Sequence, residues 1–134
     1  MITNIKAYPI NWKKVCYIAS KIKTDSQEFD EEGNEIDVYS KPVLYKFNYQ
    51  PVSSNVDLME FGEKASIIQK AVIPIEYRGL FKENDIAYLD GIEPNDDEID
   101  SDIVYGNGAN YRLLPPRNGN SVIIIYFEKI TEGR

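Results

Sequence analysis

The chain has 134 residues, 22 acidic and 15 basic side chains, a formal net charge of −7, no histidine and one cysteine. That length can bury a real core without disulfides or a structural metal. Lacking histidine and a second thiol, it cannot assemble a histidine-based catalytic set, an intramolecular disulfide or a Cys/His metal centre.

Residues 1 to 12, with Pro9 and Trp12, read as an N-terminal arm ahead of one domain spanning 13 to 134. No apolar leader opens the sequence and no stretch approaches the ~20 apolar residues of a membrane span, so a cytosolic protein away from membranes is expected. Lys13 to Ile22 alternates as a first strand, with Cys16, Ile18 and Ile22 on one face and Val15, Tyr17 and Ala19 on the other. In that setting Cys16 reads as a buried, inert small residue. Residues 24 to 35 form a long polar hairpin connection.

The second strand is expected from Ile36 to Tyr49. Val43, Tyr45, Phe47 and Tyr49 lie on one face, and Pro42 implies an edge position or a bulge. Pro51 to Lys64 breaks the alternation. Its Ser-Ser-Asn start and Gly62 mark a loop with room for a helical turn, carrying Val56, Leu58, Met59 and Phe61, which either fold back over the core or meet a partner.

Ala65 to Ile75 reads as the third strand, Asp85 to Leu89 as the fourth, closed by Asp90-Gly91, and Ala109 to Leu114 as the fifth. Tyr105 to Gly108 is a turn, not a phosphate cradle, because the GxGxxG and GxxxxGK patterns are missing and a strand follows it. The sixth strand, Ser121 to Ile130, is apolar on both faces and should run centrally, covered on each side. The sum is an all-β fold, a small antiparallel β-barrel or sandwich of about six strands with long loops.

The charge is unevenly laid out. Six acids lie between Asp25 and Glu35, among them Asp30, Glu31 and Glu32. Six more lie between Glu93 and Asp102, among them Asp96, Asp97 and Glu98. Neither stretch holds a base, so ten acids face 15 bases in the remainder, and residues 1 to 23 carry five lysines and no acid. A basic body with two acidic loops suits complementary protein faces, including copies of itself. Acidic loops that only keep a β-domain soluble and block edge pairing are the plainer alternative.

The alternating acids from Asp96 do not make a calcium loop: Ser101 and Asn107 stand where its Gly and bidentate Glu belong. Carboxylates in solvated loops stay ordinary, so no enzyme and no cofactor is expected. An OB-like barrel binding single-stranded nucleic acid through Tyr45, Phe47 and Tyr49 is the alternative, against which stand the acidity and the absence of interleaved bases.

The segments LFKENDIAYLDG (Leu80 to Gly91), YRLLPP (Tyr111 to Pro116) and SVIIIYFEKI (Ser121 to Ile130) resemble the head-closure, or stopper, proteins of tailed bacteriophages. Asn84-Asp85 stands where that family usually has Gly-Asp, while Asp90-Gly91 and Tyr111-Arg112-Leu113 match its pattern. The insertion from Glu93 to Gly108 is longer than the family's.

The resemblance implies a structural virion protein, present in the host cytoplasm during assembly and in the virion neck when mature. Its copies would form a ring of about six or twelve subunits. The ring would join portal and adaptor to tail-side proteins, close the DNA exit channel, and let double-stranded DNA pass without sequence-specific binding. By position, Pro51 to Lys64 is the plug loop, with the acidic loops as candidate charged contacts.

Overall fold

In a computed structural model that describes residues 14–22, 28–29, 35–99 and 101–130, the chain is mostly β, and all strand pairings are antiparallel. The main sheet runs in the order β6 (Val43–Phe47), β1 (Lys14–Ala19), β9 (Ile86–Tyr88), β11 (Tyr111–Leu113), β13 (Val122–Lys129), β8 (Ile68–Pro74) and β7 (Gln50–Pro51). A short β12 (Arg117–Asn118) folds back on β13. The sheet curls until β6 comes within 8 Å of β8, giving a half-barrel.

Period-two alternation fills the inside. Cys16, Ile18, Phe47, Ala71, Ile73, Ala87, Leu113, Ile123, Ile125 and Phe127 form the main core. As expected of a strand apolar on both faces, β13 is central. Ile123, Ile125 and Phe127 point inward, while Tyr126 and Ile124 join Val52, Ile68 and Phe61 in a second cluster on the outer wall.

The expected long second strand is instead two strands. β5 (Val38–Ser40) pairs with β2 (Lys21–Ile22) and β10 (Ile103–Val104) in a three-stranded sheet, whereas β6 is an edge of the main sheet. Pro42 lies buried at the break, where its missing N–H is no loss. The small sheet covers part of the outer wall through Tyr39 and Val104, which meet Ala19, Ile86 and Tyr88. Gly106 fits this contact: with φ +79, an added Cβ would lie 2.6 Å from Ile86 Cδ1 and 3.3 Å from the Tyr39 ring.

The polar hairpin connection carries a ladder of its own, β3 (Glu28–Phe29) with β4 (Glu35–Ile36). The N-terminal arm, and Asp30, Glu31 and Glu32, lie outside the described residues. The expected third strand begins three residues late because Gly62–Ile67 is a 3-10 helix.

The residues behind the LFKENDIAYLDG resemblance have structural work. Asn84 takes φ +75, a left-handed conformation that Gly adopts freely and Asn tolerates. The Asp85 carboxylate, buried, accepts the backbone N–H groups of Lys21 (3.0 Å) and Lys82 (2.9 Å). Asp90 and Gly91, both at positive φ, close a tight turn in which Ile92 N–H reaches Leu89 O at 3.2 Å. Tyr49 Oη accepts the Asp90 N–H at 2.8 Å, and Tyr111 Oη donates to the Asp90 carboxylate at 3.1 Å.

Cys16 is buried in the main core, and burial pushes its thiol up to about 12. A thiol reagent at pH 8 should therefore leave the native protein unmodified and react once it is unfolded; native-state labelling at the rate of a free thiol would contradict this packing. Gly106→Ala should cost about 1–3 kcal/mol by chemical denaturation, combining positive-φ strain with overpacking against Ile86. An unchanged midpoint would mean that Gly106 does not pack against Ile86 and Tyr39 as described.

Candidate functional site

The segment after β7 is not an irregular loop. Ser54 caps a helix, α1 (Asn55–Phe61): its side chain accepts the Asp57 N–H at 3.1 Å, and Gly62, at φ +58, ends the helix with its N–H on Leu58 O. Ser54 before the helix and Gly62 after it are start and stop signals visible in the sequence. Without an apolar stripe to accompany them, they read there as loop punctuation.

The polarity of α1 is inverted relative to an ordinary surface helix. Its buried residue is Asp57. Val56 is 71% exposed, Met59 85% and Leu58 43%. Phe61 differs from these three: its ring packs against Tyr126 at 5.1 Å between centroids, in an edge-on arrangement. Of the four apolar residues expected on the plug loop, one folds back on the barrel and three remain on the surface.

The buried side explains why the helix stays in place. The Asp57 carboxylate accepts Lys70 Nζ from β8 at 2.9 Å and the Tyr126 hydroxyl from β13 at 3.0 Å. Glu60 pairs with Arg117 of β12, whose guanidinium sits 5.0 Å from the Tyr126 ring centroid. Burial alone would raise the Asp57 pKa; hydrogen bonds from Lys70, Tyr126 and Ser54, and the nearby ammonium charge, together hold it below the usual carboxylate range. Asp85, also buried, is shifted upward because desolvation outweighs its two backbone N–H donors, Lys21 and Lys82, and the charge of Lys82.

A cleft of about 280 Å³ opens beside this tether, lined by Asn48, Gln50, Ser53, Ser54, Asp57 and Lys70 among others. Its one cation is already held by Asp57. A second cleft of about 260 Å³ lies under Tyr77, Phe81, Pro115 and Pro116 at the end of the barrel. Among the described residues, no group of three or more Cys, Asp or Glu side chains could hold a metal ion, and no helix is long and apolar enough to cross a membrane.

The other expected site residues fall elsewhere. Asp96, exposed, begins a single helical turn (Asp96–Ile99) that includes Asp97 and Glu98 and that precedes β10 in the chain, more than thirty residues after α1. The aromatic face of the OB-like alternative turns inward. Phe47 and Tyr49 are core residues, and Tyr45 stacks on Phe47 at 5.2 Å and meets Phe81 edge-on.

No protein-family model and no curated protein matches the chain. Among solved structures, it is similar to the solution structure of protein SF1141 from Shigella flexneri 2a, with a TM-score of 0.52 and 14% identity, covering 89% of this chain and 93% of that one. At that identity the likeness speaks for the fold. The chain has an all-β, barrel-like architecture.

The tether has a signed pH dependence. Its folded-state pKa lies below the unfolded value, so the contribution of Asp57 is complete above about pH 4 and fades as the pH falls through the folded-state value. Asp57→Asn should destabilise by about 1.5–3 kcal/mol at pH 7, the worth of hydrogen bonds to a charged group. The gap in melting temperature from the unmodified protein should narrow in acid; a gap independent of pH would show that the carboxylate charge plays no part.

Proposed function

We propose that this protein is a non-enzymatic structural component of a tailed-phage neck, acting as a stopper subunit. Copies assemble as a ring between portal or adaptor and the tail-side proteins and close the DNA exit channel. Its place is the host cytoplasm during assembly and the neck of the finished virion. DNA passes the ring without sequence-specific contacts.

The observation that carries this reading is α1. A helix fixed to a rigid wall by a buried carboxylate, with Val56 and Met59 turned to solvent, is arranged for contact with another polypeptide. It occupies the stretch, between the β6–β7 strands and β8, that the stopper resemblance assigns to the channel plug. The all-β, half-barrel architecture is compatible with that resemblance, as is the structural use made of Asn84, Asp85 and Asp90.

Phe61 holds the helix to Tyr126, so substitutions that probe docking belong at the more exposed positions. Val56→Asp with Met59→Asp should keep the melting temperature within a few degrees, as surface changes do. In a phage genome carrying the double substitution, filled heads should accumulate without joined tails. Mass spectrometry of purified wild-type particles should find the chain at a fixed number of copies. Its absence from particles, or normal particle yield from the double variant, would overturn the assignment.

A further inference from the structure

The outer wall of the half-barrel is covered in two places and bare in a third. Over β8 and β13 it carries α1 and the 3-10 segment, packed on Tyr126 and Ile68. Over β9 and the end of β1 it carries the small sheet, packed on Ala19, Ile86 and Tyr88. The wall made by the start of β1 and by β6 has no such cover among the described residues, although it carries the apolar side chains of Val15 and Leu44 beside Lys46.

Antiparallel pairing sets Val15 opposite Lys46 and Tyr17 opposite Leu44, so these side chains share the outer face. Val15 and Leu44 are each about half exposed. β1 and β6 contain lysines and no acid, whereas Asn55 to Glu63 contains three acids and no base. Two of those acids are already engaged, Asp57 by Lys70 and Glu60 by Arg117, which leaves Glu63, at the start of the 3-10 segment after α1, as the charge offered outward.

The geometry points to a head-to-tail contact between copies of this chain: α1 and the start of the 3-10 segment of one copy, through Val56, Met59 and Glu63, lie on the bare β1–β6 wall of the next, against Val15, Leu44 and Lys46. The contact repeats within one molecule the way α1 and the small sheet already cover their own parts of the wall. Its two faces are different surfaces of the chain, so one such contact per copy is heterologous, and a series of them closes into a ring or runs on as a filament. A two-fold dimer would instead make the contact twice between the same two copies and stop there. This deepens the ring reading given above and rests on it for the biological setting, while the contact itself can be tested on the isolated protein.

The test is oxidative cross-linking of concentrated protein, in which Cys16 stays silent because it is buried. The double variant Met59→Cys with Leu44→Cys should give a ladder of disulfide-linked multimers. A mixture of the two single variants should stop at the 1:1 dimer, because each partner offers one reactive face. Charge reversal at Glu63 (Glu63→Lys) should weaken the ladder several-fold, and combining it with Lys46→Glu should restore it. A monomer-only pattern from the double variant, or efficient dimers of Met59→Cys alone, would overturn the contact. A ladder from a protein missing from virions would sink the neck assignment and leave the contact standing; presence in virions without a ladder would do the reverse.

Discussion

The arrangement of this surface depends on one buried carboxylate. Taking Asp57 out of water costs several kcal/mol if it is left alone. Here an ammonium from β8 and a phenol from β13 meet it, both within 3.0 Å. That pair fixes α1 to two adjacent strands at once, and the direction of the Asp57 shift records that the partners outweigh desolvation. A helix held this way does not need an apolar stripe on its inner side. With Phe61 alone packed on Tyr126, Val56 and Met59 are released from the usual duty of binding to the core and stand outside.

Tyrosine does much of the fastening in a chain without histidine. Tyr49 and Tyr111 converge on Asp90 and hold the turn after β9, while Tyr126 reaches Asp57. In each case the ring is buried in apolar surroundings and the hydroxyl meets a polar group at the boundary. An amphipathic side chain with two rotatable bonds suits this position between core and wall. The outer seam between β11 and β13 uses a different device: Arg112 donates through Nε and Nη2 to the same Glu128 oxygen, at 3.2 and 3.1 Å. These contacts account for the YRL motif, whose Tyr111 and Leu113 face the core while Arg112 faces out.

Much of the barrel was legible because alternation is a direct consequence of strand geometry. β13, the inward run from Cys16 to Ile18, and Ala71 with Ile73 all follow from period two. Asp90-Gly91 was legible from turn chemistry. The division of residues 36 to 49 into β5 and β6 was not, since alternation continues through Pro42 and only tertiary pairing reveals that the two halves belong to different sheets. The small sheet was hidden for a related reason. Ile103-Val104 is too short to register as a strand, and its partner in β5 lies more than sixty residues away. α1 escaped because hydrophobic periodicity assumes that apolar side chains point inward. Asp57, the residue that faces the core, reads in one dimension as a loop acid.

The rigidity of α1 bears on what such a surface can do. Association must offset lost translational and rotational freedom together with any ordering of side chains and loops. A mobile apolar loop would add its own ordering to that cost, whereas a helix already capped by Ser54, ended at Gly62 and clamped to Tyr126, Lys70 and Arg117 adds little. The work of fixing the helix is done during folding. Contacts made by Val56 and Met59 can then contribute nearly their full burial to holding a neighbour, at roughly 25 cal/mol per Å² of apolar surface. For a subunit that acts by position and not by chemistry, a small pre-ordered knob is more effective than a larger floppy one. The buried ion pair at Asp57 is therefore part of the interaction surface, although neither of its side chains needs to touch a partner.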